Sequence, residues 1–276
     1  MRFHDRLRRA WAASGSLLCV GLDPDPARFP EGVARDRRGL EAFCRGIIDA
    51  TGHAACAFKP QIAYFAAMGA EPELEALCAH VRAAFPEVVI VLDAKRGDIG
   101  DTARMYAAEA FDRYGADAVT VNPYLGTDSL EPFLARADRG TFVLCRTSNP
   151  GAAEFQSLEA VGVPLYLAVA RTAATAWRLR ADVGLVVGAT APEELRAVRA
   201  VVGDMPLLVP GVGAQGGDLA AAVRAGRTPD GTGLLVNSSR AILYADLGAG
   251  WAAAAARVAE STRDAIRTAL RAAPSA

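Results

Sequence analysis

The feature that most constrains this chain is an alternation of two hydrophobic periods. Short apolar, β-branched runs recur roughly every 25 to 40 residues, and each leads through a loop into a longer amphipathic stretch rich in Ala, Leu and Arg. The runs stand at 17–22, 54–59, 88–93, 118–121, 142–146, 183–187, 206–209 and 233–236. Between them, helices are predicted over 38–51, 71–84, 101–114, 128–137, 158–179, 192–202 and 217–225, with a closing helix over 250–271 and an additional one at the N-terminus. Asp101 before Thr102, and Thr190 before Ala191-Pro192-Glu193-Glu194, read as helix entries. Strands that all run one way need crossover helices, so the pattern builds a parallel sheet of α/β class. Eight units predict closure into a (β/α)8 barrel. No G-x-G-x-x-G follows the first run, which argues against an open doubly wound sheet.

Barrels of this kind commonly need about 250 residues. The 276 residues, 52% of them hydrophobic, are therefore expected to form a single domain over 1–276. No Pro/Ser-rich linker interrupts them, and the Ala252–Ala256 run is helix-forming material, with fraying expected only over 272–276. The 30 basic and 31 acidic residues leave a formal charge of −1, so no general attraction to nucleic acid or an anionic membrane is expected. Cys19, Cys44, Cys56, Cys78 and Cys145 lack C-x-x-C spacing and read as buried thiols in a reducing cytosol. His4, His53 and His80 are dispersed, so no metal site is expected. The N-terminus carries Arg2, Arg6, Arg8 and Arg9 without a signal-peptide core, and no apolar run is long enough to span a bilayer, so a soluble, cytoplasmic protein is expected.

Only two of the 30 basic residues are lysine, Lys59 and Lys95. Arginine serves elsewhere, so these positions point to a need for a compact ammonium that can give up a proton. Parallel barrels place their active sites at the C-terminal strand ends. The polar residues that end the apolar runs are Asp23, Lys59, 93–98, Asn122, 147–149, 210–215 and 237–240. The densest string is Asp93-Ala94-Lys95-Arg96-Gly97-Asp98-Ile99-Gly100-Asp101-Thr102. Strand alternation would put Asp93 and Lys95 on one side with Ala94 facing away, and the two glycines would let the backbone turn close to a ligand.

That string closely resembles the signature of orotidine 5′-phosphate decarboxylases. The resemblance continues in Phe58-Lys59-Pro60-Gln61, in Val121-Asn122-Pro123-Tyr124-Leu125-Gly126 and in Arg146-Thr147-Ser148-Asn149-Pro150-Gly151. It extends through Pro210-Gly211-Val212-Gly213-Ala214-Gln215-Gly216-Gly217 and Val236-Asn237-Ser238-Ser239-Arg240, in family order. The blocks look like the longer, mycobacterial-type branch. Asp101 stands where Ser or Asn is usual, adding a negative charge near the site, and Ala241 stands where Gly is frequent.

The resemblance implies a cofactor-free conversion of orotidine 5′-phosphate to UMP and CO₂ in pyrimidine biosynthesis. It implies a charged array of Lys59, Asp93, Lys95 and Asp98. It implies further that Asp98 and Thr102 reach the partner's site in a homodimer and that Asp23 and Lys59 bind ribose hydroxyls. Ser148 would bond the pyrimidine, Gln215 would bridge base and phosphate, Ser239 and Arg240 would hold the phosphate, and Asn122 would line the pocket.

The chemistry asks for such an array. Loss of CO₂ from C6 leaves an sp² electron pair that the ring delocalises poorly, and a buried ammonium beside it stabilises that charge most where water is excluded. Flanking carboxylates are expected to keep Lys95 charged until it protonates C6. Like charge from Asp93 and Asp98 would also crowd the substrate carboxylate. The glycine-rich 211–217 segment reads as a phosphate gripper that closes over the ligand. Three alternatives remain at this point: a Schiff-base aldolase using Lys59 or Lys95, a magnesium-dependent sugar-phosphate decarboxylase, and a non-catalytic nucleotide-binding module.

Overall fold

The computed structural model describes residues 1–160, 162–212 and 217–272. The chain opens with helix α1 (Phe3–Ser14), strand β1 (Leu18–Leu22) and helix α2 (Arg37–Thr51). Strand β2 (Ala57–Pro60) leads through a short α3 (Ile62–Ala66) to α4 (Glu71–Ala84) and β3 (Val89–Arg96). Helix α5 (Gly100–Ala108) widens into a π-helical turn (Glu109–Arg113) before β4 (Ala118–Val121), α6 (Thr127–Leu134) and β5 (Gly140–Arg146). A short α7 (Ala153–Gln156) precedes a two-residue ribbon of β6 (Glu159–Ala160) and β7 (Val163–Pro164), then α8 (Leu165–Thr175). The last units are β8 (Asp182–Val187), α9 (Pro192–Val202), β9 (Leu207–Val209), α10 (Leu219–Gly226), β10 (Leu234–Ser238), α11 (Arg240–Leu243) and α12 (Trp251–Arg271).

The eight long strands close in the order β1-β10-β9-β8-β5-β4-β3-β2, every pairing parallel, which makes the predicted (β/α)8 barrel with its additional N-terminal helix. Burial on both faces explains why the strands read as continuous apolar runs rather than alternating ones. All five cysteines are buried and unpaired. No helix among the described residues is long and apolar enough to cross a membrane.

Some local expectations need correction. The helix predicted over 158–179 begins only at Leu165, because Gly162 takes a left-handed φ of 77° and Pro164 supplies no N–H, so the preceding residues form the ribbon instead. Neither expected cap acts as one. Helix α5 starts at Gly100 with Asp101 already inside its first turn, and α9 starts at Pro192 with Ala191 as its N-cap. The predicted fraying concerned 272–276, and 273–276 lie outside the described residues.

Helix α1 closes the N-terminal end of the barrel. Phe3, Leu7, Ala10 and Trp11 share one buried face, and Phe3 packs edge-to-face on Phe142 at 5.9 Å. A side chain at Gly140 would collide with Phe3 at 2.4 Å, so this seat requires glycine. Trp11 Nε1 donates to the Leu234 carbonyl at 3.0 Å. Two buried carboxylates at strand starts receive the arginines above and around them. Asp182 accepts Arg2 at 2.6 Å, while Asp117 accepts Arg82 at 3.0 Å and the Ile90 N–H at 2.8 Å and pairs with Arg6 at 3.2 Å. From α9, the Arg199 guanidinium donates to the carbonyls of Gly203, Met205, Gly226 and Gly233, tying the loop after α9 to the end of α10 and the start of β10.

Asp117→Ala should therefore strip three donors of a buried acceptor. It is expected to lower stability by about 2–4 kcal/mol, measured by urea unfolding.

Candidate active site

At the opposite end, where the strands finish, a cavity of about 550 Å³ opens among the C-terminal loops. Most of its charged and hydroxyl-bearing wall residues are carried there by strand ends. Asp23 follows β1, Lys59 ends β2, Asp93 and Lys95 end β3, Ser148 follows β5, and Ser239 and Arg240 follow β10. Around the ring, β3 and β10 are separated by β2 and β1, so Lys95 and Arg240 address different parts of the cavity.

The centre of the site is one carboxylate shared between two ammonium groups. Lys59 Nζ donates to Asp93 Oδ2 at 2.7 Å, and Lys95 Nζ donates to Asp93 Oδ1 at 2.7 Å. Lys59 is buried, its side chain 4% exposed, whereas the Lys95 side chain is 45% exposed and faces the cavity. Burial alone would raise the Asp93 carboxyl, but the two lysines outweigh it and hold it well below the ordinary carboxylate range. Burial likewise opposes the charge on Lys59, and Asp93 with Asp23 outweighs that, raising Lys59 above the ordinary amine range. Asp23 Oδ1 is buried without a hydrogen-bond partner among the described residues, an acceptor that a ligand hydroxyl would satisfy.

Asp93 and Lys95 do meet, although simple strand alternation is not what brings them together. Leu92 pairs with Val119 and Arg96 with Val121, so residues 93, 94 and 95 of β3 lie opposite Thr120 alone. Lys95 takes a φ of 47°, the one non-glycine residue among those described with a left-handed backbone. Such a conformation costs about 1–3 kcal/mol and persists only where its surroundings enforce it. Beyond the bulge, Arg96 is anchored outward on Glu109 at 2.8 Å and over the Tyr106 ring at 4.4 Å. The π-helical turn that carries Glu109 is a feature often found beside functional sites.

The model of the orotidine 5′-phosphate decarboxylase / HUMPS family matches residues 16–256. The chain belongs to that family. An orotidine 5′-phosphate decarboxylase of Ralstonia pickettii is 59% identical over 266 residues, covering 96% of this chain and 98% of the relative. The enzyme of the same name from Bordetella petrii is 60% identical over 268 residues with the same coverage. Among solved structures, the Leishmania donovani OMP decarboxylase superposes with a TM-score of 0.85 at 39% identity, covering 99% of this chain and all of that one.

In this decarboxylase-family barrel, Asp23, Lys59, Asp93, Lys95, Ser148, Ser239 and Arg240 converge on the cavity as expected. Asp98, Thr102 and Asn122 do not line it. Asp98 Oδ1 accepts the Ile99 N–H at 2.8 Å, Thr102 is exposed on α5, and Asn122 Oδ1 turns away to accept the Tyr124 N–H at 3.0 Å. Asp101, expected to add charge near the site, is 92% exposed and pairs with Arg104. Residues 213–216, Gln215 among them, lie outside the described residues, as does most of the proposed gripper.

Asn237, one of the strand-end polar residues read from sequence, reaches the wall too, as do Gln61, Tyr64 and Gln156, for which the sequence suggested no role. Gln156 holds the loop after β5 with both ends of its amide: Oε1 accepts the Thr147 N–H and Nε2 donates to Thr147 Oγ1, each at 2.8 Å. Asn237 Nδ2 donates to Ser239 Oγ at 3.2 Å. A second cavity, about 470 Å³, lies beneath α1, but its Arg2 and Arg178 are already paired with Asp182 and Asp204.

The depressed Asp93 carboxyl gives a signed expectation. In the unfolded chain this group titrates near 3.8, so its contribution to stability is complete above that pH and is lost as pH falls toward the lower folded value. The stability gap between the parent and Asp93→Asn should be constant between about pH 5 and 9 and shrink below about pH 4. Urea unfolding across that range measures it.

Proposed function

We propose that this chain decarboxylates orotidine 5′-phosphate to UMP and CO₂ with Lys95 as stabiliser and proton donor. The observation that carries the reading is the Lys95 ammonium, fixed on Asp93 at 2.7 Å and facing the cavity while Lys59 is buried behind it. As the C6–carboxylate bond breaks, its electron pair stays on C6 and CO₂ leaves. The adjacent ammonium stabilises that pair in a site shielded from water, then transfers a proton, so that a C6–H bond forms and Lys95 becomes a neutral amine. Solvent restores its proton afterwards. Asp93, anionic throughout, orients the ammonium and repels the substrate carboxylate until CO₂ departs.

The remaining roles are those the family resemblance implies, and the wall is compatible with them. Asp23 and Lys59 suit ribose hydroxyls, Ser148 the pyrimidine, and Ser239 with Arg240 a phosphate, to which we add Gln215 as a bridge between base and phosphate. Asp98 and Thr102 are assigned to the cavity of a second copy in a homodimer. Support for that comes from the apolar side chains beside them: Ile99, Met105 and Tyr124 are exposed at 57%, 55% and 83%. The loops carrying Ile99 and Tyr124 come close together where Gly97 lies against Asn122, and Met105 follows on α5. Asn122 then belongs to this face rather than to the pocket wall of its own subunit. The five buried thiols suit a reducing cytoplasm.

The alternative chemistries fit the geometry less well. A Schiff-base lysine must shed its proton easily, whereas Lys59 is held charged by Asp93 and Asp23. A divalent cation would need Asp93, both of whose oxygens are already taken by ammonium groups.

Bleaching of the orotate chromophore in the presence of a chelator is the direct test, and no bleaching would refute the reading. Lys95→Ala should bind UMP yet lose at least ~10³-fold in kcat. Arg240→Ala should raise KM roughly ten- to hundredfold by weakening phosphate binding. Mixing inactive Lys95→Ala and Asp98→Ala subunits should restore activity, since one of the two shared sites would be intact; none would remove the cross-subunit assignment.

A further inference from the structure

Thr120 sits in the middle of β4, 1% exposed, with no face on the cavity. Its hydroxyl nevertheless uses its full bonding capacity on the catalytic strand. Oγ1 donates to Asp93 Oδ1 at 2.9 Å and accepts the backbone N–H groups of Ala94 at 3.0 Å and Lys95 at 2.9 Å. A hydroxyl has one proton and two lone pairs, and all three are spent here.

The three bonds fall where the β3–β4 ladder fails. Residues 93 to 95 face a single residue of β4, so the Ala94 and Lys95 N–H groups have lost the carbonyl partners a regular parallel register would supply. Unpaired, they would be buried orphans, and β3 would gain by relaxing toward an ordinary extended path. That path would undo the left-handed backbone at Lys95 and swing its ammonium off Asp93. Threonine is suited to the task because its branched Cβ restricts χ1 and so aims the hydroxyl.

We propose that Thr120 is a positioning residue for the decarboxylation, its hydroxyl holding the bulged backbone of Lys95 and the carboxylate of Asp93 in one register. The proposal rests on the assignment of Lys95 made above. Removal of the hydroxyl should act on turnover, which needs the ammonium placed to a fraction of an ångström, far more than on ligand binding, which is spread over the wall.

Thr120→Val and Thr120→Ser separate hydroxyl from shape. Thr120→Val is expected to lose at least tenfold in kcat with KM and UMP affinity within threefold of the parent, and Thr120→Ser to retain at least a third of the parent kcat. A Thr120→Val enzyme within threefold of the parent kcat, or a Thr120→Ser enzyme as impaired as Thr120→Val, overturns the proposal. Should Thr120→Val fail to fold, Thr120→Ala against Thr120→Ser isolates the same hydroxyl, with the same tenfold margin expected. If the parent itself does not turn over orotidine 5′-phosphate, the reading of the site fails, and the positioning role is decided by crystallography of the hydroxyl-less variant. A Lys95 ammonium still on Asp93 with a left-handed backbone would then refute it; displacement of both would sustain it.

Discussion

Everything at the mouth of this barrel is organised by the sharing of one buried carboxylate between two amines. A lone charge buried there would be driven toward neutrality by desolvation, so Lys59 is kept charged by Asp93 with Asp23, and Asp93 by the two lysines that share it. Around it the cavity wall sets Lys59, Lys95 and Arg240 against Asp23 and Asp93, a net positive charge that favours an anionic ligand without any basic surface. That reconciles a nearly neutral chain with a phosphorylated, carboxylated substrate.

The two ends of the barrel divide the work. At the N-terminal end, carboxylates at strand starts are saturated by arginines from α1 and α4, and an aromatic helix face plugs the opening. Arginine serves there because forked, permanently charged donors satisfy several acceptors at once. At the C-terminal end the only cations on β2 and β3 that touch Asp93 are lysines, the residue type that can also surrender a proton. The scarcity of lysine in the sequence thus mirrors a difference in chemistry between charge that only holds a partner in place and charge that can also give up a proton.

Much of this was legible in the chain. All eight barrel strands and the helices α4 and α9 stand where the periodicity puts them, because burial on both faces of a strand and one face of a helix leaves an unmistakable trace. The short α3 and α11 left none, being too brief for a period. Seven of the eleven proposed site residues line the cavity, since strand ends dictate where polar groups gather. What could not be read was register. A bulge depends on how two strands slide past each other, so the opposition of three residues to Thr120 has no local signature, and a threonine in Ala-Val-Thr-Val passes for ordinary strand material. The ribbon around Gly162, by contrast, does have a local signature in its Gly and Pro, which outweigh the helical period of the residues around them.

The left-handed backbone at Lys95 has a further meaning for how such a chain can change. Glycine is the residue most at ease in that conformation, and it would be the substitution a screen for thermal robustness should favour there. It would also delete the amine. Relief of backbone strain and turnover therefore pull in opposite directions at this one codon.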